Sequence, residues 1–168
     1  IYASVALLDG GKAKLKQWQH IAIKKASGTS RLFVDGVLKD TSTSSNGNAL
    51  GDNSQNTFKI GVEHSNTGGL SGYLNGKLSN LRVVKGTAVY TSSFRPPTEP
   101  LTNISGTVLL CCNNSSTTGS TVTPGTITAT SSPTASTDSP FDDPAGFKFG
   151  DSKEGIIKCG SYVGYGST

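Results

Sequence analysis

Methionine is absent from these 168 residues, which begin at Ile1, and the chain reads as an internal or processed piece of a longer product. Charge is scarce too. Asp, Glu, Lys and Arg make up 15% and hydrophobic residues 33%, both low for a globular domain. No apolar run approaches the ~20 residues of a bilayer-spanning helix, so no membrane insertion is expected, and no signal-peptide pattern is visible. An arginine-rich run or an aromatic-basic platform is also missing, which argues against a nucleic-acid partner. With two histidines, three cysteines and no CxxC or Cys/His spacing, the chain offers no zinc site. Adjacent Cys111 and Cys112 on a strand are expected to point to opposite faces. With Cys159 they make an odd count, read as small buried hydrophobes from a reducing compartment.

What the chain has in quantity is glycine, 21 in all, with abundant Ser and Thr. That suits an all-β domain of short strands and many turns, and the length allows one domain plus part of a second. The net charge of +4 is uneven: residues 1–112 carry twelve Lys/Arg against six Asp/Glu, residues 113–168 three against five. The cluster Lys12, Lys14, Lys16, Lys24 and Lys25 reads as lysines guarding a solvated strand edge. Steering toward an anionic surface or polysaccharide is the sharper alternative.

Strand signals follow in quick succession. "QWQHIAIKK" (17–25) alternates, with Ile21 and Ile23 on one face and Trp18, His20 and Ala22 on the other. "SRLFVDGVLKD" (30–40) predicts a hairpin, because Asp35-Gly36 suits a type I′ turn with positive φ at both central positions. Leu32, Val34 and Val37 or Leu38 are expected to bury against Ile21 and Ile23. "TFKIGVEH" (57–64) predicts a strand; so do Tyr73-Leu74 before Asn75-Gly76, and the run Leu78, Leu81, Val83, Val84. "TVLLCCN" (107–113) predicts a fully buried strand. "TAVYTSSF" (87–94) holds one helical turn at most, and Pro96-Pro97 keeps the following chain out of any sheet.

Three segments result. Residues 1–112 form the main β domain. Residues 113–140, sixteen of them Ser or Thr, form an edge hairpin about Pro124-Gly125 or a linker closing the domain. Residues 141–168 open a further, incomplete module.

"WQHIAIKKASGTSRLFVDGVLKDT", with "KIGVEHSNTGGLSGYLNGKLSNLRVVKGTAVYTSSFRPPTEPL" after it, resembles the laminin G-like branch of the concanavalin A-like jelly rolls. The shared pattern is a Trp-x-His-x-Ala strand, an Arg-Leu-Phe-Val-Asp-Gly hairpin, an Ile-Gly strand, a Leu-Arg-Val strand and a closing Tyr-Thr-x-x-Phe-x-Pro-Pro, in order over residues 17–101. The resemblance implies an antiparallel two-sheet jelly-roll sandwich whose first strands either precede Ile1 or are supplied by another chain, with "IYASVALLDGGKAKL" as the strand pair just before the Trp18 strand. It also makes Trp18 and His20 structural residues, and Tyr90 and Phe94 plugs for the returning chain. "KGTAVYTSSFRPPTEPL", "GTVLLCCNN" and the Ser/Thr segment ending "SPF" are similar to copies in structural proteins of tailed phages, marine ones notably. "FKFGDSKEGIIKCGSYVGYGS" is similar to a segment that follows such modules.

The resemblance therefore implies a non-catalytic virion protein of a tail fibre, appendage or capsid surface. Its lectin-like module would attach to host-surface glycans or serve assembly, with other virion subunits, including copies of itself, as partners. A secreted or cell-surface carbohydrate-binding lectin is the alternative. Jelly rolls of this kind include glucanases, which need two carboxylates about 5–5.5 Å apart for retention. Their Glu-x-Asp-x-x-Glu strand has no counterpart here, where the glutamates are Glu63, Glu99 and Glu154, so no catalytic residue is assigned. Some laminin G-like domains bind Ca²⁺ at the sandwich rim; Asp52 and Glu63 are the metal candidates, and no other cofactor is called for. Asn53, Asn56, His64 and Asn66, in polar loops at 41–56 and 63–69, are the carbohydrate-binding candidates.

Overall fold

The computed structural model describes residues 8–43, 58–64 and 69–141, with only the backbone described at Glu63 and His64. The described chain is all-β and contains no helix. Its strands are β1 (Ile21–Ala26), β2 (Thr29–Val34), β3 (Val37–Ser42), β4 (Glu63–His64), β5 (Leu70–Ser71), β6 (Leu81–Val84), β7 (Thr107–Cys111) and β8 (Ser120–Val122). They form sheets β1-β2-β3 and β6-β7-β8 and a small ribbon β4-β5. Every pairing is antiparallel, as expected of a concanavalin A-like sandwich. Two compact units are distinguished, Ile1–Ala135 and Ser136–Thr168. The second is described only at its start, where the Ser136 and Ser139 hydroxyls accept hydrogen bonds from the amides of Asp138 and Phe141 at 3.1 and 3.2 Å.

Tight turns build the first sheet. Ser27-Gly28 (φ 48° and 73°) joins β1 to β2, and Asp35-Gly36 (φ 51° and 76°) joins β2 to β3. Both have the double positive φ that lets a two-residue turn follow the strand twist. β2 is central, and it carries the core: Leu32 is 1% exposed and Phe33 0%. Alternation sends these neighbours to opposite faces. On the Leu32 face, Leu8 and Val34 complete a buried cluster. Gly10 lies so close that a Cβ there would stand 3.0 Å from the Leu32 side chain and 3.2 Å from Val34.

The register sets Ile21 opposite Val34 and Ile23 opposite Leu32, so the expected partners do meet. Ile21, Ile23, Val37 and Leu38 nevertheless stay exposed, because they occupy the outer strands while β2 takes the centre.

In the second sheet β7 is central, and Leu109, Leu110 and Cys111 are buried. The two sheets are tied by the returning segment 90–102. At one end, Phe94 N–H donates to Gly36 O at 2.8 Å, Leu38 N–H to Ser93 Oγ at 3.3 Å, and Arg31 Nη1 to Thr91 O at 2.8 Å. At the other end, Leu101 N–H donates to Asn80 Oδ1 and Arg82 Nη1 to Thr102 O, each at 2.9 Å. Asn80 holds φ 54°, an excursion its side chain tolerates better than most.

Several expectations need revision. Phe58–Val62 lies outside any strand, since Gly61 adopts φ 73°. Leu78 is exposed and β6 begins only at Leu81, so Leu78 does not fill the sandwich. Residues 8–15 form no strand. β8 pairs with β7, but residues 123–141 add no second arm to the expected edge hairpin. With so many Ser and Thr, those residues have little apolar surface to bury.

Candidate functional site

Two places gather chemistry-bearing residues. The first lies on the Phe33 face of the first sheet. Tyr90 and Phe94 stack in parallel, centroids 3.5 Å apart, and Phe94 meets Phe33 edge-on at 5.6 Å. His20, one residue before β1, presents its ring edge-on to Phe94 at 5.4 Å and to Tyr90 at 5.9 Å. Its main chain is fixed by Asp35: His20 N–H donates to Asp35 Oδ1 at 3.0 Å, and Asp35 N–H donates to His20 O at 2.8 Å.

The electrostatics follow from that packing. Burial lowers the His20 pKa, the Asp35 carboxylate works against this, and the Arg82 guanidinium adds to the lowering. At Asp35 burial pushes the carboxyl up. The His20 amide, the Lys14 ammonium and the Gln19 amide outweigh it and hold the group below its ordinary value. Lys14 Nζ stands 3.5 Å from Asp35 Oδ2 in an exposed pair, worth little by itself. His20 Nδ1 is buried with no hydrogen-bond partner among the described residues. The arrangement braces the hairpin turn through an aromatic stack. His20 packs into that stack one residue before β1, and its ring is not satisfied within the sheet as the sequence led one to expect, since Nδ1 has no partner among the described residues.

A pH dependence follows. The folded state disfavours the His20 imidazolium, whereas the unfolded chain binds that proton near pH 6.5. Below that pH the unfolded state therefore holds more protons, so stability falls as pH drops from 6.5 toward the folded pKa and then levels off. Urea midpoints measured between about pH 7.5 and 5 are expected to decline for the native chain and to decline less for His20→Gln. Equal slopes in the two proteins would remove His20 as the cause.

The second place is the β4-β5 ribbon. Glu63 pairs with Ser71 and His64 with Leu70, and Leu74 N–H donates to Gly61 O at 2.8 Å, extending the ribbon's reach. Tyr73, adjoining it, is 54% exposed, and Leu74 and Leu78 are exposed beside Gly61. An exposed tyrosine next to exposed leucines supplies a flat apolar face with a hydroxyl at its edge, a surface against which a ring can stack. Of the candidates for carbohydrate and metal binding, the backbone pairing places Glu63 and His64 here. Asp52, Asn53, Asn56 and Asn66 lie outside the described residues. No group of three His, Cys, Asp or Glu converges on a metal-sized site among the described residues.

Trp18, expected as a structural aromatic, is 39% exposed, because the chain has not yet entered β1 and still runs along the surface. Tyr73-Leu74, expected in a strand, lie beyond β5, which ends at Ser71 before Gly72 with φ 57°; the sequence did not single out Tyr73 as a binding residue. Cys111 and Cys112 also depart from expectation. Cys112 leaves the strand with φ 57°, and this brings the two sulfurs to 3.8 Å of one another instead of opposite faces.

A family model described as the concanavalin A-like lectin/glucanases superfamily matches residues 2–89. That span takes in strands β1 to β6 and both turns of the first sheet. No curated protein and no solved structure matches the chain. With half the sequence matched and an antiparallel all-β architecture beneath it, the chain belongs to the concanavalin A-like lectin/glucanase superfamily.

Proposed function

We propose that this chain is a non-catalytic, lectin-like module of a phage virion, on a tail fibre, appendage or capsid surface, that takes hold of a host-surface glycan. The observation that carries the recognition part is Tyr73, 54% exposed next to the ribbon that bears Glu63 and His64. Membership of a superfamily that includes lectins supports carbohydrate as the ligand class. The virion context rests on the similarity of "KGTAVYTSSFRPPTEPL", "GTVLLCCNN" and the closing segment to phage structural proteins. A non-catalytic role is supported by the sequence, which has no Glu-x-Asp-x-x-Glu strand to supply paired carboxylates. Other virion subunits, copies of the same chain among them, are the assembly partners on this reading.

The purified protein on a glycan array is expected to give saturable binding to a defined set of glycans. Tyr73→Ala is expected to weaken it roughly tenfold, the size of one aromatic stacking contact, with unchanged melting. A uniformly blank array would leave assembly as the module's role. Mass spectrometry of purified particles is expected to detect the chain; its absence there, with glycan binding intact, would favour a secreted or cell-surface lectin.

A further inference from the structure

We infer that Cys111 and Cys112 form an oxidisable vicinal dithiol, which closes to an intrachain disulfide by exchange with a low-molecular-weight disulfide. The geometry carries this. On a regular strand successive side chains point to opposite faces. Here β7 ends at Cys111, and Cys112 turns to φ 57°, which leaves the sulfurs 3.8 Å apart with both thiols free. The turn is held from outside the pair, since Asn80 N–H donates to Cys112 O at 2.8 Å and Asn80 in turn receives Leu101. The gap must then shorten to the roughly 2.05 Å of an S–S bond. Because neighbouring Cα atoms lie only ~3.8 Å apart, closer than the usual disulfide spacing, closure takes a twist of the Cys111–Cys112 peptide as well as side-chain rotation.

The two sulfurs differ in access. Cys111 is 1% exposed, whereas Cys112 is only half-buried. Burial, together with the neighbouring Cys112, pushes the Cys111 thiol up to about 12. Cys112 is therefore the first nucleophile. Its thiolate attacks one sulfur of the small disulfide, and the other half leaves as a thiolate that takes a proton from water. Cys111 then gives its proton to solvent, and its sulfur attacks Cys112 Sγ and expels the second small thiol. Two protein thiols become one disulfide, one small disulfide becomes two small thiols, and electrons and protons balance. The second step waits on the Cys111 proton, so it accelerates as pH rises.

The test uses the full chain carrying Cys159→Ser, so that only this pair of thiols remains, incubated natively with oxidised glutathione. Intact-mass spectrometry is expected to show a glutathione adduct that gives way to a product lighter than the reduced chain by two hydrogen atoms. The conversion should speed up with pH, and a dithiol reductant should restore the starting mass. Cys111→Ser in the same background should retain the adduct without closing. A stable adduct on the unsubstituted pair, a disulfide-linked dimer, or no reaction until the chain is denatured would each overturn the inference.

Discussion

Gly36→Ala is expected to be among the most damaging single-methyl changes in the domain, lowering stability by about 3–5 kcal/mol. Two costs combine. Gly36 sits at φ 76°, where a Cβ is strained. The added Cβ would also run into the Phe94 carbonyl oxygen and stand 3.0 Å from both Phe94 C and Pro96 Cδ. Those are backbone and ring atoms, with no flexible side chain to move aside. Relief requires lifting segment 90–96 from the turn, which breaks the Phe94–Gly36 hydrogen bond and uncovers Phe33. Gly11→Ala is the control: φ is 79° there, but nothing lies within 4 Å of the new methyl, so it pays strain alone, about 1 kcal/mol. Urea denaturation of both variants separates the two costs. Equal losses would mean that the returning segment does not press on the turn.

Phe33→Ala is the second large effect, expected at about 3–5 kcal/mol. Phe33 is 0% exposed in the central strand of its sheet, so no neighbour can collapse fully into the space its ring leaves. The loss should depend partly on Phe94, whose ring meets it edge-on at 5.6 Å. A double-mutant cycle with Phe33→Leu and Phe94→Leu is expected to give a coupling of about 0.5–1.5 kcal/mol. Strict additivity would show that Phe94 covers Phe33 without a specific ring contact. Both predictions concern one device, the strap that crosses from the first sheet to the second.

Much of this was legible in the residues. The alternation of 17–25 and the Asp-Gly turn of 30–40 identified β1, β2 and β3, because period-two patterning and positive φ are local properties of a sequence. The apolar run of "TVLLCCN" identified β7, but the expected fully buried strand over 107–113 ends at Cys111 and is buried only at Leu109, Leu110 and Cys111, with Thr107 and Val108 half-buried. "TFKIGVEH" misled: its alternation is good, yet Gly61 turned the chain, and of its described residues only Glu63–His64 form a strand. Leu78 misled for a related reason, being separated from β6 by Asn80 in a left-handed conformation. Periodicity reports which residues would fit a strand, while pairing depends on a partner that a one-dimensional pattern does not contain.

By itself, then, the sequence determined the all-β class, the family and the turns, all written in short-range patterns and in the order of segments along the chain. Tertiary structure alone decided the rest: that Ile21 and Ile23 lie at the margin and Phe33 at the centre, that His20 is braced by Tyr90 and Phe94 from seventy residues away, that Tyr73 stands exposed, and that two cysteines assigned to opposite faces have sulfurs 3.8 Å apart. Each of these turns on which distant segment covers a given face or on one backbone torsion, and neither is specified until the chain closes on itself.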